Sequence, residues 1–172
     1  SDGLFSTAKL DRLKQRARVV ASLRSFLDDA DFMEVDPPVL VGSPGLEPHL
    51  DAMVVHTTEG PRFLHTSPEY ALKKLLGSGA DRVYSLGACF RDEPKSKTHS
   101  PQFTMLEWYT TGFDLFELMA QTEALVQAAW GALDRPQVMG IEGPLTLDDE
   151  FERMTVRESF QRYASIDPWL HS

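Results

Sequence analysis

The stretch RDEPKSKTHSPQFTMLEWY, residues 91–109, combines a cluster of cations with a carboxylate set in an apolar run. Arg91, Lys95, Lys97 and His99 offer several N–H donors to a polyphosphate, and Phe103 offers a ring face to a purine. Glu107 interrupts the apolar run, where an unpartnered charge is costly to bury. Taken singly, each lysine reads as a solvated surface charge. Their concentration on one connection, with an arginine at its base, is what suggests a bound anion.

Two strands must hold this stretch, VYSLGACFR (83–91) and QFTMLEWYT (102–110). Side chains alternate faces along a strand. One parity, with Tyr84, Leu86, Ala88 and Phe90 on the first strand and Thr104, Leu106 and Trp108 on the second, is core-like. If the strands pair as a hairpin, the other parity collects Ser85, Gly87, Arg91, Glu93, Phe103, Glu107 and Tyr109 on one surface. Small residues beside charged ones leave room for a ligand, so this surface is expected to be a pocket floor. The alternative is an exposed sheet face carrying a cross-strand Arg91–Glu107 ion pair. The connection 94–101 is longer than a tight hairpin needs, and this favours the pocket.

Upstream, residues 7–30 read as an amphipathic helix, because Leu10, Leu13, Ala17, Val20, Leu23 and Leu27 recur three or four apart. Ser6 or Thr7 can cap it, and it must stop before Asp36-Pro37-Pro38. The turn-rich GSPGLEP (42–48) leads to MVVHTT (53–58) and RFLHT (62–66), two short strands about Glu59-Gly60-Pro61. SPEYALKKLLGSG (67–79) predicts a short helix with Ser67 at its cap, Pro68 and Glu69 in its first turn and Gly77 just past its end. Asp114 with Glu117 marks a capping box for a helix reaching Leu133, with Leu115, Leu118, Met119, Thr122, Leu125, Val126, Ala129 and Trp130 facing inward. Thr155 with Glu158 starts another. Residues 134–150 are punctuated by Pro and Gly, and Asp148-Asp149-Glu150 reads as a solvated loop. Successive hairpins favour an antiparallel sheet flanked by helices, an α+β fold.

The 172 residues fit one domain, with 42% hydrophobic and 25% charged content in the ordinary range for a soluble protein. A net charge of −9 argues against nonspecific nucleic-acid binding but permits a local basic pocket. No apolar run approaches membrane-spanning length and no signal-peptide pattern opens the chain. The single cysteine, Cys89, excludes an internal disulfide and suits a reducing cytoplasm. It reads as a small buried strand residue rather than a nucleophile. His49, His56 and His65 lack metal-ligand spacing, so no metal site is expected among them. The chain opens on Ser1 rather than Met, so a trimmed N-terminus is expected.

FRDE (90–93), the loop with His99, and SPQFTMLEWY (100–109) together resemble motif 2 of the class II aminoacyl-tRNA synthetases of the lysyl type. VVASLRSFLDDADFMEVDPP (19–38) resembles their motif 1, and HTSPEYALKKLL (65–76) resembles a segment of their amino-acid pocket. Within the class, GLEPHLDAM (45–53), the Trp of LEWY (106–109) and RYASIDPW (162–169) look most like the elongation factor P–(R)-β-lysine ligases, a shortened paralogue group of the lysyl-tRNA synthetases. The resemblance runs nearly end to end.

What the resemblance implies is the N-terminal portion of a class II catalytic domain over residues 1–172, with motifs 1 and 2 but without the glycine-rich motif 3. It implies ATP as a substrate, magnesium ligands in a part beyond Ser172, and a homodimer formed through the motif 1 helix. The expected reaction activates (R)-β-lysine or lysine as an aminoacyl-adenylate and passes the acyl group to a lysine of elongation factor P. Arg91 would be the catalytic residue, holding the α-phosphate and the amino-acid carboxylate. Asp92, Glu93, His99, Ser100 and Phe103 would complete the ATP site, with Glu93 on adenine, His99 on the terminal phosphates and Phe103 stacked on the base. Ser67, Pro68, Glu69, Glu107 and Tyr109 would bind the amino acid, a carboxylate suiting a substrate with two ammonium groups.

Too few residues precede the motif 1 helix for an anticodon-binding domain, so tRNA is not the expected acceptor. Asp92, Ser100 and Gln102 stand where the family usually has Asn, Asn and Glu, which leaves the nucleotide contact at Ser100 open. The chain by itself is expected to be inactive. Two other readings remain: a piece of an ordinary lysyl-tRNA synthetase, and a shortened synthetase-like module that binds ligand or dimerises without catalysis.

Overall fold

The computed structural model describes residues 6–45, 47–94, 96–140, 143–145, 147–148 and 150–170. In chain order the elements are α1 (Thr7–Asp29), β1 (Met33–Glu34), β2 (Leu40–Val41), β3 (Val54–Thr57), β4 (Gly60–Leu64), α2 (Glu69–Gly77), β5 (Arg82–Phe90), β6 (Gln102–Thr110), α3 (Leu115–Gly131), β7 (Val138–Met139), β8 (Pro144–Leu145) and α4 (Val156–Ala164). They fall into two compact units, one over Val20–Leu118 and one made of the described residues on either side of it. Among the described residues no helix is long and apolar enough to cross a membrane.

In the Val20–Leu118 unit, β5 and β6 pair antiparallel along their full length, from Arg82 opposite Thr110 to Phe90 opposite Gln102. β1 joins β5 in parallel, with Met33 beside Val83. The sheet is therefore mixed, which corrects the antiparallel expectation. Between β1 and β5 the chain makes a second sheet and α2, a crossover long enough for parallel pairing. That second sheet has the order β2-β4-β3 and is antiparallel throughout. Its β3–β4 turn uses Gly60 at φ 113°, and the Thr57 hydroxyl donates to the Gly60 carbonyl at 2.7 Å.

Both faces of β5 are covered. Val83 and Tyr84 are fully buried, and Ser85 and Cys89 nearly so. Strand parity thus tells which side chains share a face, but the odd face is not the wetter one. α2 lies against β5 and β6, and the segment around it touches the odd-numbered Glu107 and Tyr109. On the even face the Tyr84 hydroxyl reaches Asp28 of α1 at 3.0 Å and Glu34 of β1 at 3.1 Å. One hydroxyl hydrogen cannot satisfy two carboxylates, and Arg24 supplies the balancing charge through a fork on Glu34 with distances of 2.9, 3.0 and 3.1 Å.

Several boundaries differ from expectation. Ser6 does cap α1, its hydroxyl accepting from the Lys9 amide at 3.3 Å. Leu27 of the apolar stripe is buried, but Leu10 and Leu13 remain 48% and 50% exposed, because the described residues offer them no facing surface. Pro68 rather than Ser67 precedes the first residue of α2, and Gly77 is its last residue rather than the one beyond. The Asp114–Glu117 capping box forms, with distances of 2.7 and 2.9 Å. α3 ends at Gly131, and its Leu115 is 67% exposed instead of facing inward, whereas Leu125 is buried.

In the other unit, β7 and β8 pair within a stretch read as loop, since two-residue strands are too short to show periodicity. Asp148 and Glu150 are exposed, as a solvated loop requires, and make surface ion pairs with Arg135 and Arg153. Asp149 lies outside the described residues. α4 begins at Thr155 with a complete capping box.

The Arg24 fork holds the Glu34 carboxyl below its usual 4.5, with the Tyr84 hydroxyl a lesser contributor. A carboxyl depressed by folding adds stability above its unfolded pKa and loses it as pH falls through the folded value. With side chains 43% and 38% exposed, solvent screening limits the pair to about 1 kcal/mol. Glu34→Gln is therefore expected to lose about 1 kcal/mol in urea unfolding at neutral pH. Its difference from wild type should close as the pH drops below about 4.

Candidate functional site

The odd-numbered face of β5 and β6 carries the site. At one end Glu107 stands opposite Ser85. The Ser67 hydroxyl donates to Glu107 Oε1 at 2.5 Å, and the Tyr109 hydroxyl donates to Glu107 Oε2 at 3.1 Å. Both donors are neutral, so they orient the carboxylate without cancelling its charge. The Arg91–Glu107 ion pair of the alternative reading is not formed. Ser67 also accepts the Glu69 amide at 3.0 Å, which ties the start of α2 to β6 through one hydroxyl. Burial, then the Glu107 charge, raises the Tyr109 phenol above its ordinary range and keeps it a donor.

One turn along α2, the Lys73 ammonium pairs with Glu69 Oε1 and sits 5.9 Å from the centre of the Tyr109 ring. Sequence reasoning did not single out Lys73. Its spacing of four from Glu69 was legible, but the same spacing marks ordinary solvated helix pairs. Ser67, Pro68, Glu69, Glu107 and Tyr109, expected together, do fall at one end of the face, Pro68 serving as the residue that leads into α2.

At the other end Arg91 leaves β5, its amide donating to the Pro101 carbonyl at 2.9 Å. Its guanidinium lies over Phe103, 5.1 Å from the ring centre. Arg91 Nε is buried with no hydrogen-bond partner among the described residues. An unpaired buried guanidinium N–H is costly unless a ligand meets it, and a phosphate oxygen would do so. Arg91, Glu93, His99, Ser100 and Phe103 line a cavity of about 180 Å³ together with Thr98. That is smaller than the roughly 300–1,000 Å³ that encloses a whole small-molecule ligand.

Asp92, expected among these residues, is exposed, and its backbone amide donates to the Asp51 carbonyl at 2.8 Å. Because Arg91 covers one face of Phe103, a purine would have to stack on the opposite face. Lys95 lies outside the described residues, and Lys97 is exposed.

The loop orders its own histidine. Ser96 Oγ accepts the amides of Thr98 and His99 at 3.2 and 3.0 Å. His99 Nδ1 lies 3.1 Å from Ser96 Oγ and 3.0 Å from Thr98 Oγ1. A hydroxyl that donates to Nδ1 leaves the ring proton on Nε2, where an N–H can meet an anion, whereas an Nδ1–H that donates to either hydroxyl leaves Nε2 without one. Thr98 was not foreseen, since its part depends on the turn geometry.

Cys89, opposite Phe103, links the two ends. Burial first, then the Glu107 charge, pushes its thiol up to about 11, while Arg91 pulls the other way. It is therefore inert at neutral pH, as expected for a small buried strand residue. Buried His65 donates from Nε2 to the Ala88 carbonyl at 2.9 Å. Among the described residues no group of three or more His, Cys, Asp or Glu could hold a metal ion. The magnesium implied by the resemblance thus finds no ligand set here. A cavity of about 490 Å³ in the other unit is lined by Glu152, Arg153, Met154, Glu158, Gln161 and Arg162. Its arginines are already paired with glutamates.

A family model described as tRNA synthetases class II (D, K and N) matches residues 4–170. A lysine–tRNA ligase of Pediococcus pentosaceus is 34% identical over 98% of this chain, which spans 34% of that relative. An elongation factor P–(R)-beta-lysine ligase of Pseudoalteromonas translucida is 35% identical over 94% of this chain, which spans 47% of it. A lysine–tRNA ligase of Burkholderia ambifaria is 38% identical over 90% of this chain, spanning 31% of it. The chain thus covers less than half the length of each.

The opposing influences on Cys89 make a test that needs no ligand. With one cysteine in the chain, a ¹³Cβ-cysteine label gives a single NMR titration. Glu107→Gln is expected to lower its midpoint, and Arg91→Met to raise it.

Proposed function

Because the chain belongs to the class II tRNA synthetases (D, K and N), we propose that it forms part of an ATP-dependent ligase acting on (R)-β-lysine or lysine, with elongation factor P as acyl acceptor. The observation that carries this reading is the pairing of two unmet groups on one strand face. Among the described residues, Glu107 is a carboxylate hydrogen-bonded by neutral donors alone, and Arg91 has a buried N–H without a partner. The first suits an ammonium group and the second a phosphate. Phe103 and Glu107 are four residues apart on β6, or about 14 Å, so one extended ligand can engage both ends.

In this reading Glu107, Ser67 and Tyr109 orient the amino acid. Its carboxylate oxygen attacks the α-phosphorus of ATP, and the bond to the leaving pyrophosphate breaks. Arg91 stabilises the charge that builds on the phosphoryl oxygens, and His99 Nε2–H meets the terminal phosphates. An ε-amine of a lysine on elongation factor P then attacks the acyl carbon, and AMP leaves. No step is assigned to magnesium, for which the described residues provide no ligands.

A second reading has its own support. Relatives named lysine–tRNA ligase match at 34% and 38% identity, on either side of the 35% of the relative named for elongation factor P. In that reading the same adenylate is passed to tRNA. Dimerisation through α1 belongs to the proposal as well, and the exposed Leu10 and Leu13 support it.

ATP–pyrophosphate exchange by the intact ligase is expected to respond to (R)-β-lysine well above lysine, with acyl transfer to elongation factor P. A preference for lysine together with tRNA charging would select the second reading. Arg91→Ala is expected to reduce exchange by at least a hundredfold, the scale of losing one transition-state donor; near-normal exchange would refute its role. Leu10→Glu with Leu13→Glu is expected to shift the sedimenting species from dimer to monomer.

A further inference from the structure

The amino-acid end of the face holds two carboxylates, and among the described residues only one is directly ion-paired. Glu69 pairs with Lys73, while Glu107 receives only hydroxyls. The contacts close a ring: the Glu69 amide to Ser67, Ser67 to Glu107, Tyr109 to Glu107, the Tyr109 ring under Lys73, and Lys73 back to Glu69. An isolated helix pair would involve neither β6 nor an aromatic face. A carboxylate beside a ring face is the arrangement that accepts any ammonium, and here the protein's own ammonium fills it.

We infer that Lys73 is a resident counter-cation occupying a second ammonium position of this pocket, displaced by a diammonium amino acid and left in place by a monoammonium one. The inference rests on the amino-acid assignment of the pocket made above. The Lys73 side chain is 55% exposed and that of Glu69 33%, so a four-carbon stem can carry the charge out to water without unpacking the helix. With Lys73 in place the pocket presents one uncompensated carboxylate, and with Lys73 displaced it presents two. The resident cation keeps Glu69 and Glu107 from repelling each other while the pocket is empty, and it opposes only those ligands that need both. Lys73 is in this sense a specificity-determining residue.

Calorimetric titration of lysine and of norleucine, which has the same carbon skeleton without the ε-ammonium, tests this on the intact ligase. Lys73→Met keeps the stem and removes the charge. It is expected to bind lysine roughly two- to fivefold more tightly than wild type, the scale of displacing a partly exposed ion pair. Norleucine should gain nothing, and Lys74→Met, outside the ring, should change neither ligand. Circular dichroism checks that the variants fold, with Lys73→Gln as the replacement should the Met variant fail. If lysine binds wild type but Lys73→Met leaves it unchanged or weaker, or tightens norleucine equally, the counter-cation role is overturned while the pocket assignment stands. If wild type binds no lysine, the pocket assignment falls and the inference with it.

Discussion

The register between β5 and β6, with Ser85 opposite Glu107 and Cys89 opposite Phe103, is the constraint on which the site depends. Odd residues meet odd residues, so the carboxylate end and the arginine end share one face and are separated only by strand rise. A slip of one residue would turn Glu107 and Phe103 to the other side, among Tyr84 and its partners. The full-length ladder resists that slip, and so does Ser67, whose one hydroxyl fastens the entry of α2 to Glu107. Folding and the candidate site use the same contacts here.

The opposite face explains why the sheet can carry unmet groups on its working side. Tyr84 is completely buried and its hydroxyl joins Asp28 on α1 to Glu34 on β1, under the Arg24 fork. The polar network there is internally satisfied and anchors β5 from behind. The unpaired Arg91 Nε and the cation-free Glu107 are costs confined to the front, where a ligand can meet them. That division is the usual sign of a site rather than of poor packing.

Much of the site was legible from local pattern. Alternation placed Glu107 and Tyr109 beside each other's strand partners, and the loop 94–101 announced itself by length and charge. The caps at Asp114 and Thr155 were readable because capping is a contact between neighbours in sequence. Less legible were the parallel place of β1, the exposure of Leu10 and Leu115, and the brief β7–β8 pair. Each of these turns on what lies opposite in space, and hydrophobic periodicity reports a face without naming its cover.

The sequence by itself determined the parity of the two long strands, the helix starts, and the motif set that marks the family, because each is a property of residue types at short spacing. Tertiary structure alone decided that Arg91 lies over Phe103 with its Nε unmet among the described residues, that the Asp92 amide meets the Asp51 carbonyl, and that Lys73 closes a ring through Glu69 and Tyr109. Apart from the Glu69–Lys73 spacing of four, those outcomes join residues of different elements or loops, through hydrogen bonds and ring contacts that exist only in the folded chain. No spacing rule along the chain encodes them.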